Sequence, residues 1–233
     1  MKIIFFGTPD FAAKTLEYLV EKQVQIAAVV TQPDRPKGRS LQMCPSPVKI
    51  FAEKKNIKIF QPEKASSPEF LDELMAIKAD LFIVVAFGQI LSQKLLNIPP
   101  LGCINVHASL LPKYRGAAPI QRAIMAGEKE TGIAIQKMVK QLDAGDVIIE
   151  KRVQISEDMI FDELEHLLVE TTKLLLFHVV KEFEKGVPPA TPQNHDLATY
   201  ASKIDFSEEK NGYGVSPNLS TTHRFQSGTR PIL

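Results

Sequence analysis

Asn105 and His107 stand two positions apart in Cys103-Ile104-Asn105-Val106-His107, and Asp143 follows in Leu142-Asp143-Ala144-Gly145-Asp146. If residues 102–107 form a strand, the amide and the imidazole leave the same face and can converge on one reacting atom. Asn supplies a neutral donor that does not ionise. His supplies a donor that also passes a proton near neutral pH, and Asp fixes the tautomer of that His or holds a water. Such a set suits acyl transfer to an amine. A tetrahedral intermediate needs its oxyanion held, and losing one such donor costs roughly 100- to 1000-fold in rate. A positioned acid or base contributes about another 100- to 10,000-fold. No covalent nucleophile is required where the acceptor is already a good one.

Competing chemistries lack their signatures. Ser109 lies two positions from His107, but no G-x-S-x-G elbow presents it as a nucleophile. No H-x-x-E-H, H-E-x-x-H or paired-cysteine spacing occurs, so no metal is expected. The opening strand and helix meet at a single Gly7 without G-x-G-x-x-G, which argues against NAD. A formal charge of +1 gives no global pull toward nucleic acid, so any such affinity has to come from a local patch. Cys44 and Cys103 fall in unrelated contexts, as in a reducing compartment. Neither a secretory leader pattern nor about 18 uninterrupted apolar residues appears, and the chain is expected to be soluble and cytoplasmic, without a membrane partner.

The elements that must position these residues follow from periodicity. Strands are predicted at 2–6, 25–31, 57–60, 81–87, 102–107, 131–139 and 147–155, and helices at 9–22, 68–78, 119–127 and 158–185. The last helix carries Phe161, Leu164, Leu168, Leu175 and Val179 on its apolar stripe and stops at Gly186. Buried strands alternating with helices imply an α/β fold with a doubly wound, mostly parallel sheet. Asp143 falls on the connection between the last two strands. Ligands in such sheets bind outside the carboxyl ends of the strands, where residues 102–107 and 81–87 both finish.

Two stretches stand apart. Residues 31–49 hold Arg35, Lys37, Arg39 and Lys49 against Asp34 and are broken by Pro33, Pro36, Pro45 and Pro47, which predicts a long loop. Loops of such length in a compact domain are functional or disordered. After Gly186, Val187-Pro188-Pro189-Ala190-Thr191-Pro192-Gln193 reads as a linker. The expected organisation is a catalytic domain at 1–186, a linker at 187–204 and a tail at 205–233. That tail, rich in Ser, Thr, Asn, Gly and Pro, is expected to be disordered, as in a truncated or frame-altered product.

Asn105, His107, the 109–116 loop and Asp143 resemble the site of the 10-formyltetrahydrofolate-dependent formyltransferases. Within that family the chain is most similar to the enzymes acting on methionyl-tRNA. Further stretches carry the likeness: Phe6-Gly7-Thr8-Pro9-Asp10-Phe11, Thr31-Gln32-Pro33-Asp34-Arg35-Pro36-Lys37-Gly38-Arg39 with Pro45-Ser46-Pro47-Val48-Lys49, and Gly116-Ala117-Ala118-Pro119-Ile120-Gln121-Arg122-Ala123-Ile124. The resemblance runs from Met1 to about Ile204.

It implies a Rossmann-like formyltransferase fold acting as a monomer, with 10-formyltetrahydrofolate as formyl donor and the α-amino group of initiator methionyl-tRNA as acceptor. Asn105, His107 and Asp143 would be catalytic. Ser109, Leu110, Leu111 and Pro112, together with Phe87, Gly88, Gln89 and Ile90, would bind the folate, with Phe87, Ile90 and Leu91 as apolar walls. Arg35, Lys37 and Arg39 would meet the acceptor end of the tRNA. Where the family often carries Trp, this chain has Tyr114, which keeps a stacking face. A β-barrel of roughly a hundred residues, an ordinary domain size, would follow the linker in the family. Nucleotide-sugar formyl transfer is the rival within the family, and folate binding without turnover the rival outside enzymology.

Overall fold

In the computed structural model, the described residues are 1–37, 42–205 and 208. In chain order they form β1 (Ile3–Gly7), α1 (Asp10–Glu21), β2 (Ile26–Val30), β3 (Arg35–Lys37), β4 (Gln42–Cys44), α2 (Pro47–Lys54), β5 (Lys58–Phe60), α3 (Pro68–Ile77) and β6 (Leu81–Val85). There follow α4 (Gln93–Leu96), β7 (Cys103–His107), β8 (Arg115–Gly116), α5 (Pro119–Met125), β9 (Glu130–Lys137), β10 (Val147–Gln154), α6 (Phe161–Lys185), a 3-10 turn at His195–Leu197 and β11 (Tyr200–Ala201).

The main sheet has seven strands in the order β10-β9-β7-β6-β1-β2-β5. From β5 to β7 the pairs are parallel, while β9 runs antiparallel to both β7 and β10. The mostly parallel, doubly wound sheet expected from the periodicity is therefore present. Strict alternation along each strand sorts the apolar residues into two layers. Ile3 and Phe5 of β1, Leu81, Ile83 and Val85 of β6, and Ile104 and Val106 of β7 pack toward α1, α2, α5 and α6. Ile4, Phe6, Phe82, Val84 and Cys103 face the opposite layer with α3 and α4. Phe6 sits between the rings of Phe82 and Phe87, at centroid distances of 5.3 and 5.4 Å. Asn105 and His107 share the phase of Cys103, so the strand's own period carries them to this second face.

The described residues of the basic stretch are more ordered than its composition predicts. Instead of one long loop it holds the β3–β4 hairpin and then α2. Ser46 caps α2 by accepting from the Lys49 amide at 3.1 Å, and Pro47 takes the first helical position, where a missing N–H costs nothing. The hydroxyl of Ser46 also meets that of Thr31 at 2.6 Å, which pins the two ends of the stretch together. Arg39, one of the expected tRNA contacts, lies outside the described residues, and so does the expected tail apart from Asp205 and Glu208.

Residues 187–204 return across the domain. Thr191 exchanges two backbone hydrogen bonds with Val147, at 2.8 and 2.9 Å. Asn194 caps the 3-10 turn, and β11 pairs in parallel with β8, setting Tyr200 beside Arg115 and Ala201 beside Gly116. Gly116 has φ +121 and no side chain, and a Cβ there would stand 2.7 Å from the Ala201 carbonyl oxygen. Only glycine suits both the angle and the approach.

Candidate active site

The β7–β9 register places Asn105 directly opposite Gln136, and His107 opposite Ala134. Facing side chains in such a pair stand close enough to share a partner. Here the partner is Asp143, on the turn between β9 and β10, with φ 47 in the left-handed region that aspartate tolerates better than most residues. Its Oδ1 accepts from Asn105 Nδ2 at 3.3 Å and from Gln136 Nε2 at 3.0 Å. Its Oδ2 accepts from the Gly116 amide at 2.9 Å and lies 3.6 Å from His107 Nδ1. The side chains of His107 and Asp143 are only 6% and 11% exposed, so little water screens the pair.

The tautomer of His107 follows from its other neighbour. Nε2 lies 2.8 Å from the Tyr114 carbonyl oxygen, which can only accept, so Nε2 carries a proton. Nδ1 is then the nitrogen that faces Asp143. Asn105 gives one amide hydrogen to Asp143. The trio expected from spacing alone is thus assembled at the carboxyl end of β7.

Tyr114 has φ 59, and its amide donates to Thr199 Oγ1 at 2.8 Å. Its phenol donates to Glu128 at 2.7 Å; burial first, and this carboxylate second, push the phenol up to about 12. The ring is thereby held rather than free to swing.

The residues expected to bind folate divide by orientation. Ser109 is fully buried and donates to the Lys113 carbonyl at 2.6 Å, so its hydroxyl closes the loop rather than facing the cleft. The Leu111–Pro112 bond is cis, and Leu111 is buried while Leu110 and Pro112 are partly open. Phe87 and Leu91, expected as apolar walls, turn into the core because they join the apolar cluster of Phe6, Phe82 and Leu95; Ile90, 86% exposed, is the wall residue that stands in solvent. The Phe87 carbonyl accepts from Thr8 Oγ1 at 2.9 Å and Gln32 Nε2 at 3.1 Å. The side chain of Gln89 bridges backbone, donating to Pro62 O at 3.1 Å and accepting from the Ala65 amide at 2.8 Å. The turn after β6 is therefore braced from behind, and its outer rim is left to backbone and Ile90.

Arg35 forms an exposed ion pair with Glu63 at 2.8 Å. Lys49, beside it, pairs with Asp34 at 2.6 Å; that bond, and then the donor from Gln61, hold the Asp34 carboxyl below its ordinary range. Among the described residues no group of three or more His, Cys, Asp and Glu side chains is placed to hold a metal, and no helix is long and apolar enough to cross a membrane.

Three residues of the site were not assigned from sequence. Gln136 reaches the Asp143 carboxylate, while Gln193 donates to the carbonyls of Asp143 at 3.0 Å and Gly145 at 2.7 Å. Arg115, 4% exposed, donates to Gln193 Oε1 from Nε at 3.2 Å and from Nη2 at 2.6 Å. One signal was available: Gln136 occupies the same phase of its strand as Ala134 and Met138, where an apolar residue is the ordinary choice.

Comparison with known proteins shows the family of the chain. The sequence pattern of the formyl transferase family matches residues 1–180. A methionyl-tRNA formyltransferase of Protochlamydia amoebophila is 52% identical over 208 residues, which are 89% of this chain and 65% of that protein. One of Thermotoga neapolitana is 46% identical over 237 aligned positions, covering all of this chain and 76% of the relative. The chain thus spans about two thirds of the length of such relatives. In three dimensions it is similar to a sugar 3N-formyl transferase crystallised in the presence of dTDP and 5-N-formyl-THF, with a TM-score of 0.66 at 19% identity, over 87% of this chain and 70% of that one.

Proposed function

Because the chain belongs to the formyl transferase family, we propose that it transfers the formyl group of 10-formyltetrahydrofolate to the α-amino group of methionine on initiator tRNA, in the cytoplasm and as a monomer. The observation that carries this reading is the convergence of Asn105, His107 and Gly116 on the Asp143 carboxylate at the carboxyl end of β7. The names of relatives 52% and 46% identical support the acceptor. The structural neighbour crystallised with a formylated tetrahydrofolate supports the donor.

An α-amino group titrates at roughly 7.7 to 8.0, so an appreciable fraction is already the free nucleophile at neutral pH. Activating the amine is therefore a small part of the barrier. The larger part is the negative charge that develops on the formyl oxygen as the amine adds, and the proton that must reach the departing nitrogen of the carrier. Asn105 meets the first demand with its free amide hydrogen, and His107 adds positive charge when Nδ1 is protonated. Asp143 meets the second. It sustains the charged imidazole and, through a water, moves the proton from the adding amine toward the leaving nitrogen. Leu110 and Pro112 line one wall of the folate cleft, with Ser109 and Leu111 buried behind them, and the backbone of residues 87–90 with the Ile90 side chain lines the other. The pteridine edge, a row of donors and acceptors, meets backbone groups there. Arg35, Lys37 and Arg39 take the phosphates of the acceptor stem.

The deciding experiment supplies formyltetrahydrofolate with charged initiator tRNA, with an amino-sugar nucleotide, or with neither, and identifies the formylated product by mass spectrometry. Formylmethionyl-tRNA is the expected product. A formylated sugar, or folate binding without any product, would replace this reading.

A further inference from the structure

We propose that Gln193, on the segment that returns across the domain after α6, is a positioning residue for Asp143, acting through the backbone of the 143–145 turn and through Gln136. Its rate consequence rests on the formyl-transfer reading; its geometric consequence does not.

Arg115 sets the polarity of this network. A guanidinium only donates, and this one is buried against two neutral acceptors, Gln193 Oε1 and His195 Nδ1, the latter at 3.0 Å. Donation from both Nε and Nη2 to the same oxygen fixes which end of the Gln193 amide points at Arg115. The amide nitrogen is thereby turned to the opposite side, where it meets only acceptors: Gly145 O at 2.7 Å, Asp143 O at 3.0 Å and Gln136 Oε1 at 3.3 Å. Because Gln136 turns its oxygen toward Gln193, its nitrogen is left for Asp143 Oδ1 at 3.0 Å. The orientation of each amide sets that of the next, starting from a group that cannot reverse its role. Arg115, Gln193 and Gln136 are buried, at 4%, 8% and 2% exposure, so water cannot substitute for a missing partner among them at low cost.

The grip falls on a turn with no slack. A Cβ on Gly145 would collide with the Lys137 carbonyl oxygen, so the turn rests backbone on backbone against β9. Gln193 holds it from the other side. Asp143, at a left-handed φ, is thus clamped between β9 and residue 193, and its carboxylate is aimed by Gln136, Asn105 and the Gly116 amide.

The test uses Q193E, Q136M and the double variant in the full chain. The carboxylate introduced by Q193E would keep the bond to Arg115 but lack both amide hydrogens, setting an oxygen against two carbonyls. It would also draw the Gln136 nitrogen toward itself and away from Asp143. Misplacing or unpairing the catalytic carboxylate in this way lowers kcat about tenfold to a hundredfold. We expect that loss in Q193E and in Q136M, with KM for the formyl donor within about twofold of wild type, since neither side chain belongs to the folate walls. The double variant should lose less than the product of the two single losses, because the residues act in one chain.

Amide hydrogen exchange supplies a readout independent of turnover. The Gly116 N–H, which donates to Asp143 Oδ2, should exchange about tenfold faster in Q193E and in Q136M, in keeping with the loss of one hydrogen-bond partner. Q193M, similar in length and uncharged, carries the same expectations should Q193E not fold. If Gln193 only anchors its own segment, the Thr191 amide will exchange faster while kcat and Gly116 stay at wild-type values, and the proposal is overturned. If the wild-type protein formylates no acceptor, the formyl-transfer reading fails instead, and Gly116 exchange alone decides the positioning role.

Discussion

His107 Nδ1 and Asp143 Oδ2 face each other at 3.6 Å while the opposite ring nitrogen is committed to the Tyr114 carbonyl at 2.8 Å. The imidazole therefore turns its second nitrogen toward a carboxylate. We expect D143N, which keeps the shape and removes the charge, to lower single-turnover formyl transfer by about 100- to 10,000-fold. The new amide nitrogen would face the Gly116 N–H, so the thermal midpoint should fall, while circular dichroism should show the variant folded. A wild-type rate in the folded variant would remove Asp143 from the mechanism.

On the formyl-transfer reading, Asn105 would donate to a charge that exists only during reaction. N105A should lower kcat about 100- to 1000-fold with little change in KM for the formyl donor. A loss confined to KM, measured under steady-state conditions, would instead place Asn105 in substrate binding.

Gly145 lies against a carbonyl that cannot retreat, because Lys137 is itself held in β9 and its amide donates to Asp146 O at 2.9 Å. G145A should cost about 1–3 kcal/mol of stability through overpacking, measured by urea unfolding. The same substitution should depress kcat, since the displaced backbone carries Asp143. An alanine variant of full stability would contradict the packing.

The two cysteines should separate cleanly by chemistry. Burial pushes the Cys103 thiol up to about 12, whereas Cys44 is partly exposed. A maleimide at neutral pH should label Cys44 in the native protein and Cys103 only after unfolding. The sign of the linkage is that of a raised value. The contribution of Cys103 is complete below the ordinary 9.0 and is lost as pH rises through about 12, so C103A should flatten the alkaline fall in stability over that interval.

The basic hairpin should betray itself through salt. If Arg35, Lys37 and Arg39 contact phosphates, each alanine substitution should raise KM for tRNA. Each should also reduce the slope of log affinity against log salt by about 0.7 to 0.9. Arg35 carries an added expectation, because its present partner is Glu63: E63Q should free it and tighten tRNA binding modestly. Unchanged slopes in all the variants would move the nucleic-acid surface elsewhere.

The sheet and the trio were legible in the sequence because both depend on local period. Residues 102–107 alternate polar and apolar in a single phase, and that phase alone brings Asn105 and His107 to one face. The strand and helix boundaries differ from expectation by a few residues at most, as at α6, where Ile160 donates to Glu163 and the helix starts at Phe161 rather than near 158. The hairpin and α2 were obscured by prolines that break periodicity, although Ser46-Pro47 is itself a helix start. Gln193 was not legible at all. Its role depends on a segment of chain returning to a turn fifty positions earlier, and nothing in Pro-Pro-Ala-Thr-Pro-Gln states that destination.

The alternation of β7 gives the placement of Asn105 and His107 and the hydrophobic partition a common origin. A slip of one residue would carry Asn105 and His107 into the layer of α6 and expose Ile104 and Val106 to the cleft. The fold therefore offers no well-packed yet misregistered form that could accumulate as an inert decoy. Insertions or deletions in residues 98–102 should yield either working protein or none, and a population assay of such variants should be bimodal rather than graded.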